Sequence, residues 1–360
     1  MHQAALPFGQ VASTDHRFFD RYWFEAVAPD NSLCLIMGMG RYRNMNVLDG
    51  FVAIQTRDGK QYNARFSRAL EPDVASQIVG GLSISVVRPL EVLHLLLSQG
   101  NYPTSCDLTW TGNIPARLES HQFARQRGRV ASDYYRYTQM GAVNGSIDVE
   151  GHRYELDNWF GARDHSWGVR AGVGGFEPVT GAANPADGMF FLWLAFRIDD
   201  FGGYLQLRED QNGVLLSHDG GIVWPTGSDR AEQAISTIKH ELTFHEGTRQ
   251  FASAQLKVTT SDGDALEIEL QPILAPWAYR GTGYGDGYND GCGLGAYRGE
   301  YLEESDVYDV SDPGIVKSLE GEPIASGHRE QPVKVTVDGK PGFGHCTVIT
   351  TGTYRPYGFF

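Results

Sequence analysis

Turn signals recur along the whole chain: Asp58-Gly59, Asn144-Gly145, Asn212-Gly213, Asp219-Gly220 and Asp338-Gly339. Between them lie only short apolar or alternating runs. This punctuation constrains the fold more than any other feature. Residues 22–27, 33–38, 47–56 and 61–66 are such runs, and Asp58-Gly59 joins the last two as a hairpin. Residues 106–113 put Thr109 and Thr111 on one face and Leu108 and Trp110 on the other, the period of a half-buried strand. After the midpoint, residues 189–198 form a strongly apolar strand, and 249–259 and 265–274 continue the rhythm. Helical patterns are limited to residues 72–79 and 229–237. Short strands spaced by Gly and Asp turns predict an antiparallel all-β protein with few short helices. The Gly-, Ala- and Pro-rich residues 172–188 read as a loop or linker, dividing the chain into residues 1–175 and 176–360.

A chain of 360 residues can bury a sizeable core in two such units. Its net charge of −14 excludes nucleic acid and anionic membrane surfaces as partners, since both need a basic footprint. The longest apolar runs are far too short to span a bilayer, and residues 1–10 lack the pattern of a signal peptide. The four cysteines, Cys34, Cys106, Cys292 and Cys346, form no C-x-x-C pair. A cytoplasmic protein with free thiols is the simplest account. No H-x-H or H-x-x-x-H pair signals a metal, and no G-x-S-x-G elbow signals a serine hydrolase.

The densest chemistry lies at residues 158–170, N-W-F-G-A-R-D-H-S-W-G-V-R. If the segment is extended, Arg163, His165 and Trp167 share one face, and Asp164 and Ser166 share the other. A buried carboxyl there would hold a proton for delivery to an alkene or a leaving group. His165 suits proton donation or abstraction, Arg163 could polarise an oxygen, and Trp167 could wall a pocket. The alternative is structural, with Asp164 bonding backbone amides and Arg163 paired to it. A second unusual stretch, residues 276–304, alternates glycines with aromatics. It reads either as a flexible tyrosine-lined loop over a pocket mouth or as an irregular crossover between strands.

The string G-A-R-D-H-S-W-G at residues 161–168 resembles the signature of the double-lipocalin proteins. That group includes AttH-like proteins, the carotenoid 1,2-hydratases (hydroxyneurosporene synthases) and, more distantly, tocopherol cyclase and fungal cyclase relatives. Residues 293–301, G-L-G-A-Y-R-G-E-Y, are similar to a string late in the second barrel of those proteins. The resemblance implies two tandem lipocalin-like antiparallel β-barrels with a cavity in or between them. It also implies cofactor-free proton chemistry on a hydrophobic substrate: hydration, elimination, cyclisation or a related lyase step. The expected catalytic set is Asp164, His165 and Arg163. The expected substrate-binding set is Trp159, Trp167, Tyr135, Trp193, Trp277, Tyr279 and Tyr284. With 17 tyrosines in the chain, several of them beside these loops, a phenolic, lignin-dimer-like aromatic is as apt a substrate as an isoprenoid. Neither a cofactor nor a metal is expected, and a homodimer stays open. The rival reading is a lipocalin-like carrier that holds an apolar ligand without transforming it.

Overall fold

A computed structural model describes residue 11 and residues 13–126, 128–174, 188–284, 287–325 and 329–360. The first half runs through β1 (Phe18–Val27), β2 (Leu33–Tyr42), β3 (Val47–Thr56), β4 (Lys60–Ala69), β5 (Ile78–Val79), β6 (Leu82–Arg88), β7 (Val92–Leu97), β8 (Thr104–Thr111), β9 (Arg117–Leu118), β10 (Gln122–Gln126), β11 (Arg129–Val149) and β12 (His152–Arg170). The second half adds β13 (Met189–Ile198), β14 (Gly202–Asp210), β15 (Leu215–Val223), β16 (Gln233–Phe244), β17 (Phe251–Thr260), β18 (Ala265–Pro272), β19 (Trp277–Ala278), β20 (Tyr301–Asp309), β21 (Val316–Ser318), β22 (Pro323–Ile324), β23 (Arg329–Val337) and β24 (Lys340–Thr351).

The protein is all-β. Strands β13–β18, β23 and β24 close on themselves, because β18 pairs with β23, giving an eight-stranded antiparallel barrel. The other sheet has 15 strands and runs from β22 through β4, β1, β12 and β11 to β5. Its far edge comes from the second half of the chain: β20 pairs with β4 from Tyr301↔Arg68 to Asp309↔Lys60, and β21 and β22 follow. The stretch after residue 276 is therefore a crossover that carries the chain back to the first sheet.

Neither expected helix forms among the described residues. Ile78–Val79 pairs with Leu82 and Ser83 as a short strand. Gln233–Phe244 is strand, because Ile235 and Leu242 complete the barrel core. Burial here overrides weak helix propensity. The expected linker, residues 172–188, lies mostly outside the described residues; within its described part Val173 bridges to Leu294. All four cysteines are free, and no helix is long and apolar enough to cross a membrane among the described residues.

Three apolar clusters explain the strand patterns. Tyr22, Phe24, Leu35, Met37, Trp110 and Trp159 belong to the interior of the first unit. Phe190, Leu192, Leu205, Leu256 and Val335 belong to that of the barrel. Trp23, Val27, Ile36, Phe51, Phe160 and Ala162 meet Trp193, Tyr204 and Trp277 of the second unit in a cluster between the two. Alternate residues of β1, β2 and β12 thus serve different cores. That is why β2 reads as a nearly continuous apolar run and is buried along its whole length.

Candidate active site

The central motif lies wholly within β12, so its side chains alternate across the sheet. β1 flanks it with Tyr22 opposite His165 and Trp23 opposite Asp164; β11 flanks it with Tyr137 opposite His165 and Thr138 opposite Asp164. Directly opposed residues share a face. Arg163 and His165 therefore point into the first unit, while Asp164 and Ser166 point toward the second.

On the first face, Arg163 is buried and donates Nε and Nη2 to Gln139 Oε1 at 3.0 and 2.7 Å. Its guanidinium lies 4.9 Å from the Trp110 ring and 5.1 Å from that of Tyr137. His165 Nε2 is bonded to Asp20 Oδ1, and the ring packs 4.3 Å from Tyr22 and 5.6 Å from Trp167.

On the second face, Asp164, Ser166 and Arg170 line a cavity of about 250 Å³ between the two units. Trp23, Tyr134 and Arg136 complete the first unit's wall, and Phe191, Trp193, Arg208, Tyr279, Tyr284, Glu330, His345 and Thr347 come from the second half of the chain. A larger hollow of about 580 Å³, around Asn31, His245 and Pro276, contains none of the motif. Asp164 retains some accessible surface, as a cavity-lining group should, and yet is deeply enclosed by protein. Among the described residues no protein group donates a hydrogen bond to its carboxyl. Burial pushes its pKa up to about 6; Arg136 pulls the other way, and Glu119 adds to the rise. Arg136 is itself engaged, with Nε and Nη2 each 2.8 Å from Glu119, whose Oε1 also accepts from Thr138.

Opposite stands a buried array. His345 Nδ1 lies 2.7 Å from Glu25 Oε1, and Nε2 lies 2.8 Å from Glu330 Oε2. Tyr279 donates its hydroxyl to Glu330 Oε2 at 2.6 Å, and Thr347 donates to Oε1 at 2.8 Å. Burial alone would depress the imidazole's pKa, but Glu25 and Glu330 overcome it and raise it to about 10. His345 is thus an imidazolium at neutral pH. The Trp23 ring lies 5.0 Å from it and that of Trp193 5.9 Å.

Of the residues singled out from the sequence, the cavity brings together Asp164, Trp193, Tyr279 and Tyr284. Trp277 is buried behind that wall, 4.2 Å from the Tyr279 ring. Arg163 and His165 occupy the opposite face of β12, and Trp159 belongs to the first unit's core. Tyr135 and Trp167 stack on each other at 6.2 Å, with Tyr135 exposed. Sequence reading missed Arg136, Glu25, Glu330 and His345. One signal was present: Glu25 is the lone acid in the apolar run of residues 22–27. The glycine-rich crossover supplies Tyr284, whose hydroxyl accepts from Arg21 Nε at 3.1 Å. Gly295 docks its backbone N–H on Asp49 at 2.8 Å. Among the described residues no group of three His, Cys, Asp or Glu side chains is arranged to hold a metal ion.

A two-unit β fold of this kind is also seen in the structure of a putative AttH protein of Nitrosomonas europaea. That structure matches with a TM-score of 0.54 at 16% identity, covering 98% of each chain. The chain belongs to a family of unknown function (DUF8625), whose model matches residues 1–360. Kievitone hydratase from Nectria haematococca matches with a TM-score of 0.49 at 12% identity, covering 93% of this chain and 89% of that one. No curated protein matches the sequence significantly. The AttH-like structure establishes the shared fold.

Proposed function

We propose that the protein is an acid–base enzyme of the lyase type that acts on a hydrophobic, aromatic or isoprenoid small molecule in the cavity between its two units. The observation that carries this reading is Asp164: a carboxyl in an enclosed, aromatic-walled cavity, with its hydrogen-bonding capacity left unspent by the protein. Buried polar groups are ordinarily satisfied, and one left open toward a cavity is a group kept for a ligand. The resemblance of residues 161–168 to the double-lipocalin signature supports the same reading.

In an elimination, protonated Asp164 gives its proton to the departing oxygen, which leaves as water. A base takes the proton from the neighbouring carbon, a role we assign to Glu330, the other carboxylate that lines the cavity. Hydration runs the same steps in reverse. Arg136 and the imidazolium of His345 supply positive charge for an oxygen that gains electron density. Trp23, Trp193, Tyr279 and Tyr284 form the apolar walls, and an apolar ligand that displaces water would raise the Asp164 pKa further. The free thiols suit a cytoplasmic setting.

The test is turnover of polyene and phenolic candidates followed by mass spectrometry, with Asp164→Asn beside the wild type. The expected result is a loss of about 10²-fold or more in the variant. The wild-type rate should fall as pH rises through about 6, the value to which burial raises Asp164. Unchanged turnover in a folded Asp164→Asn protein would sink the proposal.

A further inference from the structure

The cavity holds more cationic side chains than its own protein groups engage. Arg136 is forked onto Glu119, and His345 is held between Glu25 and Glu330. Arg170, from β12, and Arg208, from β14, also line the cavity, one from each unit. Among the described residues neither side chain makes a hydrogen bond or an ion pair.

Both are nonetheless held in place. The Arg170 guanidinium carbon lies 5.7 Å from the ring centroids of both Phe19 and Tyr284. That of Arg208 lies 5.2 Å from the Phe191 ring. Contact with a ring fixes the face of a guanidinium and leaves its edge, where the N–H donors are, to another partner. Asp164 is close enough to Arg170 to feel its field, yet the two share no hydrogen bond. The chain as a whole carries a charge of −14, and against that background two guanidinium groups without a hydrogen-bond or ion-pair partner among the described residues share one cavity.

We infer that the cavity takes a small aromatic carboxylate, its anionic end bound by Arg170 and Arg208 and its ring system enclosed by Trp23, Phe191, Trp193 and Tyr284. This rests on the cavity being the ligand site proposed above, and it names the class of ligand. A carboxylate accepts two parallel N–H bonds from a guanidinium fork, which a neutral oxygen cannot match. A volume of about 250 Å³ is below the range of about 300–1,000 Å³ found for drug-sized ligands. It therefore suits a molecule of one or two rings.

The experiment is calorimetric titration of the full-length chain with 2-naphthoate and with its neutral counterpart 2-naphthalenemethanol, repeated in Arg170→Met and Arg208→Met. The wild type is expected to bind the acid about tenfold or more tightly than the alcohol. The preference should shrink to about twofold in each variant, with affinity for the alcohol retained. The wild-type comparison stands even where a variant folds poorly. Equal wild-type affinity for acid and alcohol overturns the anion inference and leaves the cavity as a ligand site. So does a preference that survives both substitutions. Failure of both probes to bind removes the aromatic-ligand site itself, and the inference with it.

Discussion

Asp164 is charged at a cost in stability, whereas His345 is favoured in its charged form, and both hold their protons longer in the folded state than in the unfolded chain. The Asp164 pKa of about 6 lies above the ordinary carboxylate value, so the folded state holds this proton longer than the unfolded chain does. Stability from this group is greatest at low pH and declines as pH rises through about 6. Asp164→Asn should therefore be more stable than the wild type above that pH. The gain is about 1–3 kcal/mol, discounted from the full shift for water in the cavity. Melting scans across pH should show the two curves converging below about pH 4; a variant less stable at pH 7 would contradict this. His345, raised to about 10, also holds its proton longer in the folded state. Its contribution is complete below about 6.5 and is lost as pH rises through about 10. Glu25→Gln removes one of its two counter-charges and should destabilise the protein by about 3 kcal/mol or more. It should also bring the alkaline loss to lower pH. An unmoved alkaline limb would show that Glu25 does not hold the imidazolium.

β12 does its work by being two-sided, and the glycines that bracket its reactive residues keep it so. Gly168 has φ of +136°, and a Cβ there would lie 2.4 Å from the Asp133 carbonyl and 2.6 Å from the Tyr134 Cα. Both obstacles are backbone, and Tyr134 lines the cavity. Gly168→Ala should cost about 2 kcal/mol or more and displace that wall, measurable as a lower denaturation midpoint together with weaker ligand binding. A variant with wild-type stability would mean that β11 and β12 can part without strain. This element also shows what was readable in advance. Extended geometry puts Asp164 and His165 on opposite faces from spacing alone, and the turn punctuation yields the all-β class. The length of β11 and β12 was hidden, because Asn144-Gly145 reads as a turn but sits at a register shift within a continuous strand. The far wall was hidden for another reason. Glu25 and His345 meet across 320 residues of chain, and no local pattern encodes a contact made only when β1 faces β24. Arg136 likewise pairs directly with Glu119, which also accepts from Thr138, a contact that depends on β9 folding against β11.

At the level of the molecule, the cavity belongs to neither unit alone, and the chain is woven so that the units depend on each other. β4 is completed by β20, and Arg65 of β4 pairs with Glu304 and Asp306 of β20. Tyr288, from the crossover, donates its hydroxyl to the Phe66 carbonyl at 2.8 Å, and Gly295 caps Asp49. A chain ending at residue 174 would lose these partners. It would leave β4 as an open edge and expose Trp23, Val27, Ile36, Phe51 and Phe160, which now pack against the second unit. An unpaired edge beside a large apolar face is a template for aggregation. Expressed alone, residues 1–174 should therefore aggregate or melt without a cooperative transition. Co-expression with residues 188–360 should recover a soluble pair, because the strands of β20–β22 are then supplied in trans. Circular dichroism and size-exclusion chromatography read both outcomes. A soluble, cooperatively melting 1–174 fragment would show that the crossover decorates a self-sufficient unit. The cavity between the units would then have to be explained without obligate coupling of its two walls.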